Sequence, residues 1–368
     1  MLKTARYVVL GGVSVLALSA PVGALGAGST ASPAPVALKT VHPQFAVLHS
    51  PRSRTTPLVG APTWTYSYNY LGTGYSDTFV GTNPTGGAST TVPIYIIPIK
   101  LTLGGFTADP SHVLSNGKTV TKNTTTSPIF GKLKYVQGGT NVGKTQYIDA
   151  FQRAALWGTV SAHPTYHVLL GKPKVKPEQT VAVPPTQGGL YTLNSGTEEI
   201  IVANINWFDP VAKGLISSLG IPSNALPIFI TTESYLSNTS TSSGCCIGGY
   251  HSVSGAGLPY AMFTYLQVAG DFSQDVSALS HEIGEYVDDP NTNNFDVPAA
   301  CSSNMIYEVG DPLEGEANYG TYPYALNAFT YHLQDLVTPE YFGAPTTTSV
   351  HGWSTFQGTT IGICANGG

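Results

Sequence analysis

The run Ser277-Ala278-Leu279-Ser280-His281-Glu282-Ile283-Gly284-Glu285-Tyr286-Val287-Asp288-Asp289-Pro290 concentrates chemistry that the rest of this 368-residue chain lacks. Its middle follows the pattern H-E-x-x-H, in which two imidazoles four residues apart bind one Zn2+ and the glutamate beside the first polarises the bound water. Glu285 stands where the second histidine would be. Positions i and i+4 are one turn apart on a helix, so both side chains can converge on one ion, and carboxylate is an accepted zinc ligand. Val276, Leu279, Ile283, Tyr286 and Val287 make an apolar stripe at helical spacing. At ~100° per residue, His281 and Glu285 fall on the opposite side. The pattern predicts a helix with one face in the core and one in a cleft. Asp271 and Gln274 would cap its start, and Asp289-Pro290 would end it.

Only 10% of the chain is charged, yet Glu282, Glu285, Asp288 and Asp289 all fall within 281–289. An exposed, merely solvated face does not explain that concentration, and a metal site does. Asp288 lies about 10 Å along the helix from His281, too far to share its ion, and is read as a residue behind the ligands. The third ligand is expected downstream, in Tyr307-Glu308-Val309-Gly310-Asp311-Pro312, from Asp311 or Glu308, with Asp289 in reserve. Glu282 takes the role of general base.

The run Ser280-His281-Glu282-x-x-Glu285-x-x-Asp288-Asp289-Pro290 resembles the S-H-E-x-x-E-x-x-T-D-P signature of secreted proteins related to the phosphate-induced, or EXORDIUM-like, group. It is also similar to bacterial secreted proteins that join this signature to a later E-x-G-D segment, here Glu308-Val309-Gly310-Asp311. The likeness spans about 30 residues, and Asp288 replaces the usual threonine. The resemblance implies a secreted zincin-like protein, and peptidase activity follows only from the chemistry of the motif.

The first 27 residues read as a secretory leader: Lys3 and Arg6, an apolar run from Tyr7 to Leu18, and small residues at Ala20, Ala24 and Ala27. No later stretch has the ~20 apolar residues a membrane span needs, so the expectation is an exported protein, extracellular or periplasmic, off the membrane once the leader is cut. In that compartment four cysteines read as disulfides. Either Cys245 bridges its neighbour Cys246 while Cys301 joins Cys364, or each of the adjacent pair links to one of the distant two. A net charge of −5 excludes a nucleic-acid partner that needs a basic stripe. Asn123 and Asn238 sit in N-x-[ST] sequons.

Residues 28–60, rich in Ser, Thr, Pro and Ala, read as a flexible linker or pro-segment, with order beginning near Pro62 and one catalytic-type domain over 61–368. Trp64, Tyr66, Tyr68 and Tyr70 alternate with polar residues as in a half-buried strand; a row of rings can also hold sugars, but a packed strand face is the plainer reading. Further strands are expected at 92–103, where Pro93 and Pro98 suggest an edge or bulge, and at 199–205, 227–232, 261–268 and 329–336. Helices are expected at 145–157 and at 209–219, with Pro210 at its first position. The whole is α+β with strand in excess: a zincin-like helix packed on a sheet, and an additional β-rich N-terminal lobe across a cleft.

Gly138-Gly139-Thr140-Asn141-Val142-Gly143-Lys144-Thr145 matches the P-loop expression, but Lys132 to Val136 is too polar for the buried strand that must precede it. A glycine turn that caps the following helix through Thr145 explains the same residues. Asp289-Pro290-Asn291-Thr292-Asn293 spaces its oxygens like a calcium loop but lacks glycine at position 6 and glutamate at position 12, so an Asx-rich turn is the simpler reading. His251 is a candidate entrant to the cleft, and His332, in a strand, a weaker one. The expected protein is a secreted metal-dependent hydrolase, a zinc metallopeptidase-like enzyme acting on peptide or protein. In it His281, Glu285 and Asp311 or Glu308 hold Zn2+. The alternative is a non-catalytic extracellular or wall-associated protein with a structural zinc or calcium site.

Overall fold

Strands as apolar as Leu226–Thr232 and Pro259–Tyr265, polar only at their threonines, can be stable only if both faces are covered, and here every position is buried. The computed structural model describes residues 36–38, 44–47 (backbone), 60–193, 198–301 and 306–366, all in one compact unit. The expected leader at 1–27 lies outside the described residues. Within 28–60, Val36–Ala37 runs parallel to Gly188–Leu193, and Gln44–Val47 runs parallel to Cys245–Val253, so strand pairing occurs upstream of the expected start at Pro62.

These strands join a mixed twelve-stranded sheet. Its spatial order runs through Gly188–Leu193, Glu198–Asn204, Ser234–Ser237, Cys245–Val253, Pro259–Tyr265, Leu226–Thr232 and Ile94–Leu103. Cys245–Val253 is antiparallel to both flanking strands, whereas the last three are parallel. Side chains alternate across the sheet as the pleat demands. Ile228, Ile230, Ala261 and Phe263 join the core beneath the helices Tyr147–Ala155 and Ser277–Asp288, and Phe229, Tyr260 and Met262 join a second core under the helix Ile205–Ser218. The result is a strand-rich α+β fold of three layers.

Pro98 falls where the outer neighbour of Ile94–Leu103 changes from Lys174–Val175, which pairs Tyr95 and Ile96, to Gln179–Ala182, which pairs Ile99 to Thr102. The missing N–H therefore sits in a gap between partners rather than at an edge or bulge.

Three local expectations need correction. The second-layer helix begins at Ile205, four residues before Asp209, because Asn204 ends its strand and caps the helix through the Asn206 N–H. Pro210 lies inside that helix on its exposed side, where water can serve the Asn206 carbonyl that proline cannot reach. The P-loop-like run is a hairpin, Leu133–Gln137 against Thr140–Thr145, turned by Gly138 and Gly139 at φ +53° and +90°. Thr145 does not cap the next helix; its hydroxyl donates to Asp149 Oδ2. The metal-motif helix has Val276 at its start with no side-chain cap, while Asp271 Oδ1 accepts from the Ser273 N–H and the Tyr235 hydroxyl.

The hairpin Thr63–Tyr70 with Thr73–Val80 turns its aromatic row inward: Tyr66 stacks on Phe79, with ring centres 4.9 Å apart, and Phe79 meets Tyr307. Its other edge is tied down by Asn294 and Asp296, which accept from the Thr78 and Ser76 N–H groups. Cys245 bridges Cys246, and Cys301 bridges Cys364. Asn123 of the first sequon is fully buried and bonded to Tyr265, whereas Asn238 is exposed. Among the described residues no helix is long and apolar enough to cross a membrane.

Candidate metal centre

The helix Ser277–Asp288 is buried along its whole length, so its polar side faces protein, not the open cleft its amphipathic pattern predicts. Three elements cover that side. The strand Cys245–Val253 brings Gly249 and His251, the segment 306–311 brings Glu308, Gly310 and Asp311, and the strand Phe329–Gln334 brings Gln334. The separation of charge from apolar surface is real, but the charged side closes on itself.

His281 Nε2 lies 2.8 Å from Glu285 Oε1 and 3.4 Å from Asp311 Oδ1. For bonds of about 2.0–2.1 Å, ligand atoms around one tetrahedral zinc lie about 3.3 Å apart; the Asp311 spacing matches that, and the Glu285 spacing is a hydrogen-bond distance that an ion would widen. The other ring nitrogen fixes the tautomer. Gln334 Nε2 donates to the Gly310 carbonyl at 3.0 Å, which leaves Gln334 Oε1 as acceptor for His281 Nδ1 at 2.7 Å. Nδ1 therefore carries a proton and Nε2 faces the carboxylates; burial would depress the ring, but Glu285 and Asp311 reverse that and raise it well above its ordinary value, so Nε2 holds a proton that a metal ion would replace. Gln334 is itself held by its backbone, whose N–H meets Ser280 Oγ and whose carbonyl meets the Tyr147 hydroxyl.

His251 repeats the arrangement from the opposite wall. Its Nε2 lies 3.3 Å from the Asp289 backbone carbonyl, which can only accept, so Nε2 donates and Nδ1 is the nitrogen turned to the carboxylates. Nδ1 is 3.3 Å from Glu282 Oε2 and 3.4 Å from Glu285 Oε2, and Glu308 Oε2 stands 4.0 Å from Nε2. Glu285 thus turns one oxygen to each histidine.

The carboxylates are short of donors. Both oxygens of Glu308 and Oε1 of Glu282 are buried without a hydrogen-bond partner. Burial pushes Glu282 up to about 8 and raises Glu308 well above the usual carboxylate range, the latter helped by Glu285 and Asp289. Burial acts the same way on Glu285, but His281 and His251 outweigh it and hold the group down to about 2. Burial would depress His251; Glu282 and Glu285 reverse that and lift it to about 10. Glu282 and Glu308 are the groups left without enough positive charge. The groups His251 with Glu285 and Glu308, His281 with Glu282 and Glu285, and His281 with Asp311 and Glu314 each bring three donor atoms close enough to hold a metal ion. Asp311, with its side chain 39% exposed, marks the way to solvent.

All five residues read from the sequence, His281, Glu282, Glu285, Glu308 and Asp311, meet here, and His251 joins them. Asp288 is not behind the ligands: two turns along the helix from His281 it accepts from Gln152, and burial pushes it up to about 8. Asp289 contributes its backbone carbonyl, while its carboxylate accepts the Asn293 and Asn294 N–H groups as an Asx-type turn. His332 pairs with Asp275 elsewhere. Sequence reasoning missed Gln334, Gly249 and Gly310. A Cβ on Gly249 would lie 2.6 Å from Glu282 Oε1, and one on Gly310 2.3 Å from His281 Nδ1. The only sequence signal for any of them is Gly310 within the Glu308-to-Asp311 segment.

Comparison of the chain with known protein families, with curated proteins and with solved structures finds no match.

Proposed function

We propose that this chain is a secreted metal-dependent hydrolase of zincin type, peptidase-like, in which His281, Glu285 and Asp311 hold Zn2+. One observation carries the reading: an imidazole whose outer nitrogen is pinned by Gln334 turns its other nitrogen to the carboxylates of Glu285 and Asp311. The bridges Cys245–Cys246 and Cys301–Cys364 support an oxidising compartment.

A bound ion would act as a Lewis acid towards a carbonyl and its attacking water. The chain's own part is proton handling. Glu282 is adjacent to His281 on the helix, its Oε1 is the unpartnered atom that would take a proton, and His251 holds Oε2 in place. Its raised pKa suits a group that gains and returns a proton near neutrality. Glu282→Gln should leave bound metal and thermal stability close to wild type and lower hydrolysis of a peptide library by at least about 100-fold. Unchanged cleavage would remove Glu282 from the chemistry.

A second reading has its own support. His281, Glu282, Glu285 and Glu308 are all nearly inaccessible, and closed sites are structural more often than catalytic. On that reading metal removal lowers the melting temperature and no peptide is cleaved by either form.

A further inference from the structure

Two imidazoles, not one, turn a ring nitrogen to the same carboxylate. Glu285 Oε1 faces His281 Nε2 at 2.8 Å, and Glu285 Oε2 faces His251 Nδ1 at 3.4 Å. Behind each ring the outer nitrogen is held by an oxygen that can only accept, Gln334 Oε1 on one side and the Asp289 carbonyl on the other. Matching outer contacts of this kind orient both rings with the inner nitrogen towards carboxylate oxygens, the placement that a metal-ligating histidine needs.

We infer that the centre is dinuclear: one divalent cation sits on the His281 and Asp311 side, a second is held by His251, Glu285 and Glu308, and Glu285 bridges them. This rests on the metal-centre reading above and extends it to a second ion. Donor count favours two. The group of His251, Glu285 and Glu308 and the group of His281, Asp311 and Glu314 share no member, and Glu285 turns one oxygen to each histidine. Glu308 supplies the independent sign. It is 3% exposed, neither of its oxygens has a hydrogen-bond partner, and it joins His251 and Glu285 in one three-donor group. Imidazole with carboxylate oxygens suits zinc-like first-row ions, and a carboxylate shared by two ions is the arrangement of sites that clamp both partners of a displacement.

The test uses the full chain purified without chelator, with Zn2+ as the probe. Elemental analysis of zinc-loaded, dialysed protein, and calorimetric titration of Zn2+ into stripped protein, should each give two equivalents. Glu308→Gln should retain one, and Glu285→Gln should weaken both by more than about 100-fold. Far-UV circular dichroism identifies a variant that fails to fold. The wild-type protein then decides alone, since two Co2+ ions sharing a carboxylate show magnetic coupling in electron paramagnetic resonance and one does not. Saturation of the wild type at one equivalent without coupling would sink the second ion and leave the single-ion reading standing. No bound metal would sink both, and two equivalents in Glu308→Gln would overturn the assignment of Glu308.

Discussion

Two glycines and an amide shape this site as much as its acids do. Gly310 lets the 306–311 segment close over His281, and any side chain there would strike the ring. Gly310→Ala should therefore tilt the imidazole off Gln334 and weaken zinc by about 10–100-fold, the usual effect of losing a contact behind a ligand. Gln334→Ala should do the same without adding bulk. Calorimetry on both variants checks this, and wild-type affinity in Gln334→Ala would mean that the ring is held by packing alone. His281, Glu282 and Glu285 are legible in the sequence because helical geometry makes residues one turn apart neighbours whatever surrounds them. Gln334 is illegible because it lies 53 positions from His281 and no local rule links a strand end to a helix face.

Elements meet here through close contacts that cut against local preference. Gly284 sits inside the metal-motif helix, where alanine would raise intrinsic helix stability by up to about 1 kcal/mol. A Cβ there would lie 2.6 Å from Leu336 Cδ1, and Leu336 is fully buried, so overpacking of about 1–3 kcal/mol opposes the gain. Gly284→Ala should destabilise by up to about 2 kcal/mol in urea unfolding; a stabilised variant would show that Leu336 can move aside. Just past the strand Phe329–Gln334, Asp335 accepts the Leu336 and Gln357 N–H groups and the Thr359 hydroxyl, tying strand to tail. Burial pushes Asp335 up to about 7 from an ordinary 3.8. The folded chain then binds this proton more tightly than the unfolded one, so the group's contribution is full at acid pH and is lost as pH rises towards 7. Melts at pH 5 and pH 8 should show a smaller fall for Asp335→Asn than for wild type, and equal falls would rule out Asp335 as the titrating group.

At the scale of the whole molecule, Cys301–Cys364 closes a loop of 63 residues around the segment that carries Glu308 and Asp311. Chain entropy alone assigns such a cross-link about 4 kcal/mol. Replacing both cysteines by serine should lower stability by that order in denaturant titration and loosen metal binding with it; a loss under about 1 kcal/mol would mean that the unfolded chain is compact without the bridge. By itself the sequence determined the strand excess, several of the strands, the metal-motif helix and the residue types that converge, because periodicity and i, i+4 spacing are local properties. It left the cysteine pairing open and gave the helix an open face. Only the tertiary structure decided that the face is closed, that His251 stands across from His281, and that Glu285 serves both. Those facts depend on which strand lies beside which helix, and that is set by burying the apolar faces of the sheet on both sides, a global condition with no local signature.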